Sequence, residues 1–180
     1  MDINLLVNLT SRAWSLNILA HLHSGVPGRQ ATLLAATSAS RTSFASSLDH
    51  LLQLGLLEKN PGHGHPLRPE FRLTMQGTAI AEAASKIIEA VPDDKEFALL
   101  RRSWTVPILA VTATPKRFST IKSDLGKITD RALSKSLCDL EEREWLRREI
   151  DVSGRAPFPT YHAENAGGKV NKVIALCAWE

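Results

Sequence analysis

RAWSLNILA, at residues 12–20, returns 90 positions later as RSWTVPILA at residues 102–110. Both stretches place an Arg two residues before a Trp and end in Ile-Leu-Ala. The correspondence continues downstream with offsets of 88 to 90, as between Leu48 and Leu137. Because the offset drifts so little and solenoid repeats are much shorter, the repetition indicates two copies of one small domain.

The duplication predicts two domains, over residues 1–91 and 95–180. Each is near the small end of what folds alone, so docking of the two copies would bury useful apolar surface. The predicted seam is formed by apolar residues on the last helix of each copy, namely Ile80, Ile87, Ile88, Val170, Val173, Ile174 and Leu176. A homodimer interface would give the same pattern.

Composition narrows the class of protein. The formal net charge of +3 permits nucleic-acid binding without requiring it. Cys138 and Cys177 are far apart and form no CxxC, so neither a disulfide framework nor a zinc site is indicated. Residues 1–9 carry no positively charged leader, and no apolar run approaches the roughly 18 residues that span a bilayer. We therefore expect a cytoplasmic, nucleoid-associated protein without membrane contact.

Catalytic signatures are missing from the sequence. It contains no Gly-rich phosphate loop, no HExxH, no GxSxG and no converging set of Cys, His and Asp. We predict no enzymatic activity and no cofactor. His63 and His65 share a Gly-rich loop, but a pair without a third ligand is more typical of a polar turn than of a metal site.

Hydrophobic spacing predicts the same order of elements in both copies. The first copy is expected to have a helix over 5–23, one over 29–36, one that Gly55 ends, strands over 56–59 and 70–73, and a helix over 77–91. The second is expected to have helices over 96–113, 118–125 and 129–143, a strand over 146–151, a return strand around 160–163, and a helix over 169–179. Three helices followed by a hairpin are typical of a winged helix-turn-helix, whose third helix enters the DNA major groove.

Short motifs recur in both copies in the same order. The first copy has Arg12 with Trp14, Ile18-Leu19, Arg29, Leu48 with Leu51, Gly55-Leu56-Leu57, and Phe71-Arg72-Leu73-Thr74-Met75-Gln76-Gly77. The second has Arg102 with Trp104, Ile108-Leu109, Arg117-Phe118, Leu137 with Leu140, Trp145-Leu146, and Tyr161 with Gly167. In these motifs the chain resembles, twice over, the HxlR branch of the MarR-like winged-helix regulators.

The resemblance implies a mainly α fold with small β-hairpin wings, in tandem winged helix-turn-helix domains. Such regulators usually pair as homodimers through their terminal helices, so the linked copies are expected to form an intramolecular pseudo-dimer. The sequence departs from the family pattern at Arg29-Gln30, at Glu144 in place of Gly, and at Ala163-Glu164 in place of Leu-Thr. The family's occasional redox Cys near the N-terminus is missing, which argues against cysteine-based sensing.

The third helix of each copy is the predicted DNA reader. In the second copy it presents polar residues opposite its apolar face, namely Thr129, Asp130, Arg131, Ser134 and Lys135. Arg131 is the best candidate for a bidentate contact with guanine. The first copy offers Ser40, Arg41, Thr42, Ser43, Ser46 and Ser47, which read few bases, so the two copies are expected to prefer different half-sites. An ordinary solvated helix face is the alternative interpretation.

Further basic residues are predicted at the start of the second helix and at the wing tips. Arg29, Lys116 and Arg117 are placed where phosphates can be held, with capping or solubility as the alternative. Wing contacts are expected from Arg155 in the second copy and from His63, His65 and Arg68 in the first. Trp14 and Trp104 are predicted core anchors, with a ligand pocket as the alternative, and Trp145 is predicted to pack under its wing.

The favoured hypothesis is a sequence-specific transcriptional regulator, a repressor that binds double-stranded DNA as a single-chain pseudo-dimer. Copies related by a pseudo-two-fold would present their third helices to major grooves roughly 34 Å apart, on an imperfect palindrome. The alternative is a tandem winged-helix module that docks on protein, as in chromosome-organising complexes. The positive charge argues modestly against it. A further copy of the chain, or a protein partner, stays open.

Overall fold

The computed structural model describes residues 2–60, 70–91, 93–154 and 156–177. In the first copy the elements are α1 (Ile3–Thr10), α2 (Ser15–His23), α3 (Gln30–Thr37), α4 (Arg41–Gln53), β1 (Leu57–Asn60), β2 (Glu70–Leu73) and α5 (Met75–Glu89). In the second they are α6 (Asp94–Leu100), α7 (Thr105–Val111), β3 (Lys116–Arg117), α8 (Phe118–Leu125), α9 (Asp130–Glu142), β4 (Leu146–Asp151), β5 (Phe158–Ala163) and α10 (Asn165–Leu176). The mainly helical fold with small antiparallel wings is confirmed.

The prediction of one long first helix in each copy is wrong. Residues 5–23 form α1 and α2 with a bend between them, and residues 96–113 form α6 and α7. At the first bend the Thr10 hydroxyl lies 2.9 Å from the Leu6 carbonyl and 2.8 Å from the Ser103 carbonyl of the second copy. The Ser11 hydroxyl donates to the Asn8 carbonyl at 2.7 Å. Side chains that bond the last turn of α1 compete with helix continuation, and α1 turns away toward the other copy.

The third predicted helix of each copy, α4 or α9, is thirteen residues long and begins after a hydroxyl N-cap. Ser40 Oγ accepts from the Ser43 amide at 3.3 Å, and Thr129 Oγ1 accepts from the Ala132 amide at 3.2 Å. The equal lengths and caps put α4 and α9 in register at an offset of 89. Ser/Thr caps of this kind stabilise a helix by about 1 kcal/mol.

The turn after this helix keeps one backbone conformation in both copies despite a change of residue. Gly55 follows α4 with φ +69°, and Glu144 follows α9 with φ +58°. Only glycine adopts that left-handed region without steric cost, so Glu144 carries strain that Gly55 does not. The next helix then crosses closely. A Cβ on Gly77 would lie 1.9 Å from the Leu56 carbonyl oxygen, and one on Gly167 would lie 2.1 Å from that of Trp145.

The wings differ between the copies. In the first, β1 and β2 pair alone as an antiparallel hairpin, and Arg29 makes a single bridge to Glu70. In the second, β3 adds to the sheet in the order β3-β5-β4, with Lys116 opposite Tyr161 and Arg117 opposite Thr160. Sequence patterns missed β3 because two residues are too short for a period-2 signal.

One continuous apolar core runs through both copies. Helix α1 packs on α7 and α8 of the second copy with Leu6 and Leu9 fully buried, and α5 packs on α10 as well as on its own α2. At the predicted seam Ile80, Ile87, Val170 and Ile174 are buried, whereas Leu176 is 87% exposed.

The tryptophans divide into two kinds. Trp145 is fully buried, and its packing under the wing stays a prediction. Trp14 and Trp104 are only half-buried where they pack against the core. The Arg101 guanidinium of the second copy lies 4.7 Å from the centre of the Trp14 ring, so this ring also contributes to the contact between the copies. No helix among the described residues is long and apolar enough to cross a membrane.

Candidate nucleic-acid interface

Helix α9 exposes the polar face that the sequence predicts. Leu133, Leu137 and Leu140 are buried, while Thr129, Asp130, Arg131, Ser134 and Lys135 are all exposed. Arg131 and Lys135 are four residues apart and therefore lie on one face. Within the described ranges neither makes an ion pair. The Asp130 carboxylate lies 2.7 Å from Lys122 Nζ, which offsets the negative charge at this end of the helix.

Helix α4 offers hydroxyls at the corresponding positions. Arg41, Thr42, Ser43 and Ser46 are exposed, and the Ser40 hydroxyl is occupied as the N-cap. The expectation that Ser47 belongs to this face is wrong. Its side chain is 1% exposed, donates to the Ser43 carbonyl at 2.9 Å and lies 3.3 Å from the Trp14 amide that donates to it. Ser47 therefore joins α4 to the start of α2.

The basic residues before the predicted second helices already have intramolecular partners. Arg29 Nε donates to Glu70 Oε1 at 3.1 Å, and Lys116 Nζ lies 2.6 Å from Asp124 Oδ2. The Arg117 guanidinium lies 3.3 Å from the centre of the Phe158 ring. These contacts connect helix and wing. Phosphate binding by these three residues stays a prediction.

Asp151, the last residue of β4, accepts two hydrogen bonds from Ser153. Ser153 donates to Asp151 Oδ1 from its hydroxyl at 2.6 Å and from its backbone amide at 2.8 Å. These hydrogen bonds, the hydroxyl's first, lower the pKa of the Asp151 carboxyl below its usual value. Val152 beside it is 73% exposed. The predicted wing contacts Arg155, Arg68, His63 and His65 lie outside the described residues.

Sequence reasoning missed two exposed arginines near α4 and α9, the two predicted recognition helices. Arg12 lines a groove of about 320 Å³ with Thr42, Ser43 and Ser46. Arg148 of β4 lines a smaller groove of about 210 Å³ with Ser134. The sequence marked Arg12 only as part of the repeat. Strand alternation could have placed Arg148 on a face of its wing, but not beside α9.

A further cavity is lined by the first copy and by Phe97 of the second. It has a volume of about 420 Å³ and lies between α2, α5 and α6, with Asn17, His21, Glu89 and Phe97 among its lining residues.

Comparison with known proteins agrees with this geometry. A family model described as HxlR-like helix-turn-helix matches residues 9–94 and matches again over residues 99–180. The two matches fall on the two structural copies. No match was found among curated proteins or among solved structures.

Proposed function

Because the chain belongs to the HxlR-like helix-turn-helix family of DNA-binding transcription regulators, we propose that it binds an imperfect palindromic operator as a single-chain pseudo-dimer and represses transcription. A bound chain would exclude other proteins from the same stretch of duplex, which is the simplest route to repression. Proteins of this family are generally not enzymes. The proposed location is the cytoplasm, at the nucleoid.

The observation that carries the proposal is that two capped recognition helices are held by one continuous core. Both copies contribute to that core, and α5 packs on α10 across the seam. Polar contacts reinforce it, since the Thr10 hydroxyl bonds the Ser103 carbonyl and Arg101 stacks on Trp14. Helices held by one core would meet two successive major grooves without the entropy cost of assembling a dimer.

The difference between the recognition helices favours an imperfect palindrome. Arg131 and Lys135 on α9 occupy the positions that Thr42 and Ser46 hold on α4. A guanidinium can bind guanine bidentately, whereas a hydroxyl can form a single hydrogen bond with several different bases. The half-site under the second copy should therefore be the more strictly defined of the two.

The test begins with the intact chain and DNA from upstream of its own gene, beside a randomised duplex library for selection. We expect two protected segments about one helical turn apart, with one chain bound per site by analytical ultracentrifugation. Transcription from a promoter that contains the selected site should fall as protein is added.

Three results would contradict parts of this proposal. Binding of two chains to one palindrome would contradict the proposal that a single chain acts as a pseudo-dimer. A rise in transcript would exclude repression at that promoter. Retention on DNA that is weak and nearly independent of salt would instead favour the protein-docking module, because binding to several phosphates must weaken steeply with log salt.

A further inference from the structure

Arg12 and Arg102 occupy the same position in the repeat but have different surroundings. Arg102 forms an ion pair with Asp139 on α9. At the offset of 89 that relates α4 to α9, the residue that matches Asp139 is His50. His50 Nε2 lies 2.7 Å from the Asn8 carbonyl oxygen, to which it donates, and 3.3 Å from Ser11 Oγ. The first copy therefore lacks the carboxylate that holds this arginine in the second.

Arg12 instead lies beside the first half of α4. It is exposed, it has no ion pair among the described residues, and it lines the groove with Thr42, Ser43 and Ser46. No carboxylate is among the residues that line this groove. Thr42 and Ser46 match Arg131 and Lys135, so at these matched positions the second copy carries positive charge on the helix itself, whereas in the first copy Arg12 supplies it from beside the helix.

We propose that Arg12 binds a phosphate of the DNA backbone for the first copy, with the hydroxyls of Thr42 and Ser46 as neighbouring donors. A guanidinium presents a planar fork of N–H groups that matches phosphate oxygens, and short hydroxyls let the backbone approach closely. The proposal rests on the proposed function, because it assumes that α4 lies against DNA.

In the second copy we expect the ion pair with Asp139 to keep Arg102 from binding phosphate. Asp139 neutralises Arg102, and Arg131 and Lys135 supply the positive charge from α9 itself. Each copy then presents cations to the duplex without crowding three like charges on one surface. Arg12 would bind phosphate in the first copy, and Arg131 and Lys135 would do so in the second.

The experiment measures the affinity of the full chain for its selected duplex across a series of salt concentrations. For Arg12→Gln we expect several-fold weaker binding at 50 mM salt and a slope of log K against log salt that is smaller in magnitude by about 0.9, the value for one phosphate contact. The ratio of wild-type to variant affinity should then shrink about 3.5-fold between 50 and 200 mM salt. Cognate and unrelated duplexes should be affected alike.

Two further variants test the cause. His50→Asp introduces the carboxylate that the second copy has at this position, so it should form an ion pair with Arg12. The magnitude of the slope should then fall by a similar amount. In the Arg12→Gln background His50→Asp should change the slope no further. The double variant Arg102→Gln/Asp139→Asn removes the ion pair of the second copy without changing net charge, and its slope should equal that of the wild type.

The outcomes separate this inference from the proposed function. If the wild-type chain binds no DNA, the proposed function fails and the inference falls with it. If the wild type binds with a steep slope that Arg12→Gln leaves unchanged, only the inference fails. A change in base preference with an unchanged slope would also overturn it, since it would make Arg12 a base reader. Thermal unfolding of each variant checks that the fold is retained.

Discussion

The two copies of this chain share a backbone fold but use different residues for the hydrogen bond that ties the turn after the third helix to the helix that follows the wing. Thr74 begins α5 as its N-cap and also donates to the Gly55 carbonyl at 2.8 Å. In the second copy Glu164 makes no cap bond, and Asn165 Nδ2 donates to the Glu144 carbonyl at 3.0 Å instead. The turn is thus tied to the following helix in both, through different residues. A hydrogen bond to this turn is therefore kept in both copies although the residue that makes it has changed.

The surfaces diverge further than the cores. Both recognition helices bury leucines at matched positions, yet one exposes Arg131 and Lys135 where the other exposes Thr42 and Ser46. Core positions are constrained by packing on both sides, whereas exposed positions are constrained only by what they bind. A single chain that carries both copies can vary the two surfaces separately, which a homodimer cannot do.

The largest expected effect concerns the core that the copies share. Leu9→Ala removes a fully buried side chain from α1, the helix that packs on the second copy. It should lower the free energy of unfolding by about 2–5 kcal/mol. Urea titration followed by tryptophan fluorescence and by circular dichroism should still give one coincident transition. Leu176→Ala is the control, with an effect within about 0.5 kcal/mol because that side chain is exposed. Two separate transitions would show that the copies fold independently.

The next effect concerns DNA affinity. Arg131→Ala should weaken binding to the selected duplex by about 1–3 kcal/mol and relax base preference in one half-site. Thr42→Ala, at the matched position of α4, should cost less because a hydroxyl contributes one weaker hydrogen bond. Fluorescence anisotropy with duplexes that vary one half-site at a time measures both. Lys172→Ala on α10 provides a control for the loss of one exposed positive charge. Equal losses at Arg131 and Thr42 would contradict the proposed asymmetry.

A smaller effect is expected at the turn after the recognition helix. Glu144→Gly should stabilise the protein by about 1 kcal/mol, because it relieves the strain of the left-handed backbone. Glycine also gives the unfolded chain more conformational entropy, which offsets part of the gain. The matched change Gly55→Ala should destabilise by a similar amount. A Cβ at Gly55 would meet no atom within 4 Å, so its effect would report backbone conformation alone. Thermal unfolding compares the pair, and effects of the same sign would show that the two turns are not equivalent.

The smallest effect concerns Cys138 on α9, which matches Asp49 on α4. Its Sγ lies 3.4 Å from Glu142 Oε1, and that hydrogen bond, with the adjacent negative charge, raises the pKa of the thiol above its usual value. The thiolate fraction at neutral pH is therefore low, and alkylation by iodoacetamide should be slow and accelerate only at higher pH. Glu142→Gln should speed it. DNA affinity should be unchanged after mild peroxide treatment, and a loss that Cys138→Ser prevents would indicate redox sensing.

Most of the fold could be predicted from the sequence because it depends on local patterns. The bounds of α8, β2 and β4 agree with the prediction, β3 was missed, and the other strands and the later helices differ from the prediction by a few residues. The first helix of each copy was wrong because its apolar spacing continues through the bend at Ser11. The hydroxyl bonds of Thr10 and Ser11 at this bend include one to the other copy, and no local pattern contains that partner.

The candidate site divides in the same way. By itself the sequence determined the duplication, the winged helix-turn-helix class and the polar face of α9, since periodicity and capping act over a few residues of chain. Only the tertiary structure decided which basic groups are occupied, because a charge is paired or exposed according to residues distant in sequence. Arg102 pairs with Asp139 and Arg29 pairs with Glu70, whereas Arg12 has no carboxylate partner among the described residues. Folding brings those groups together, and it thereby leaves Arg12 exposed beside the recognition helix.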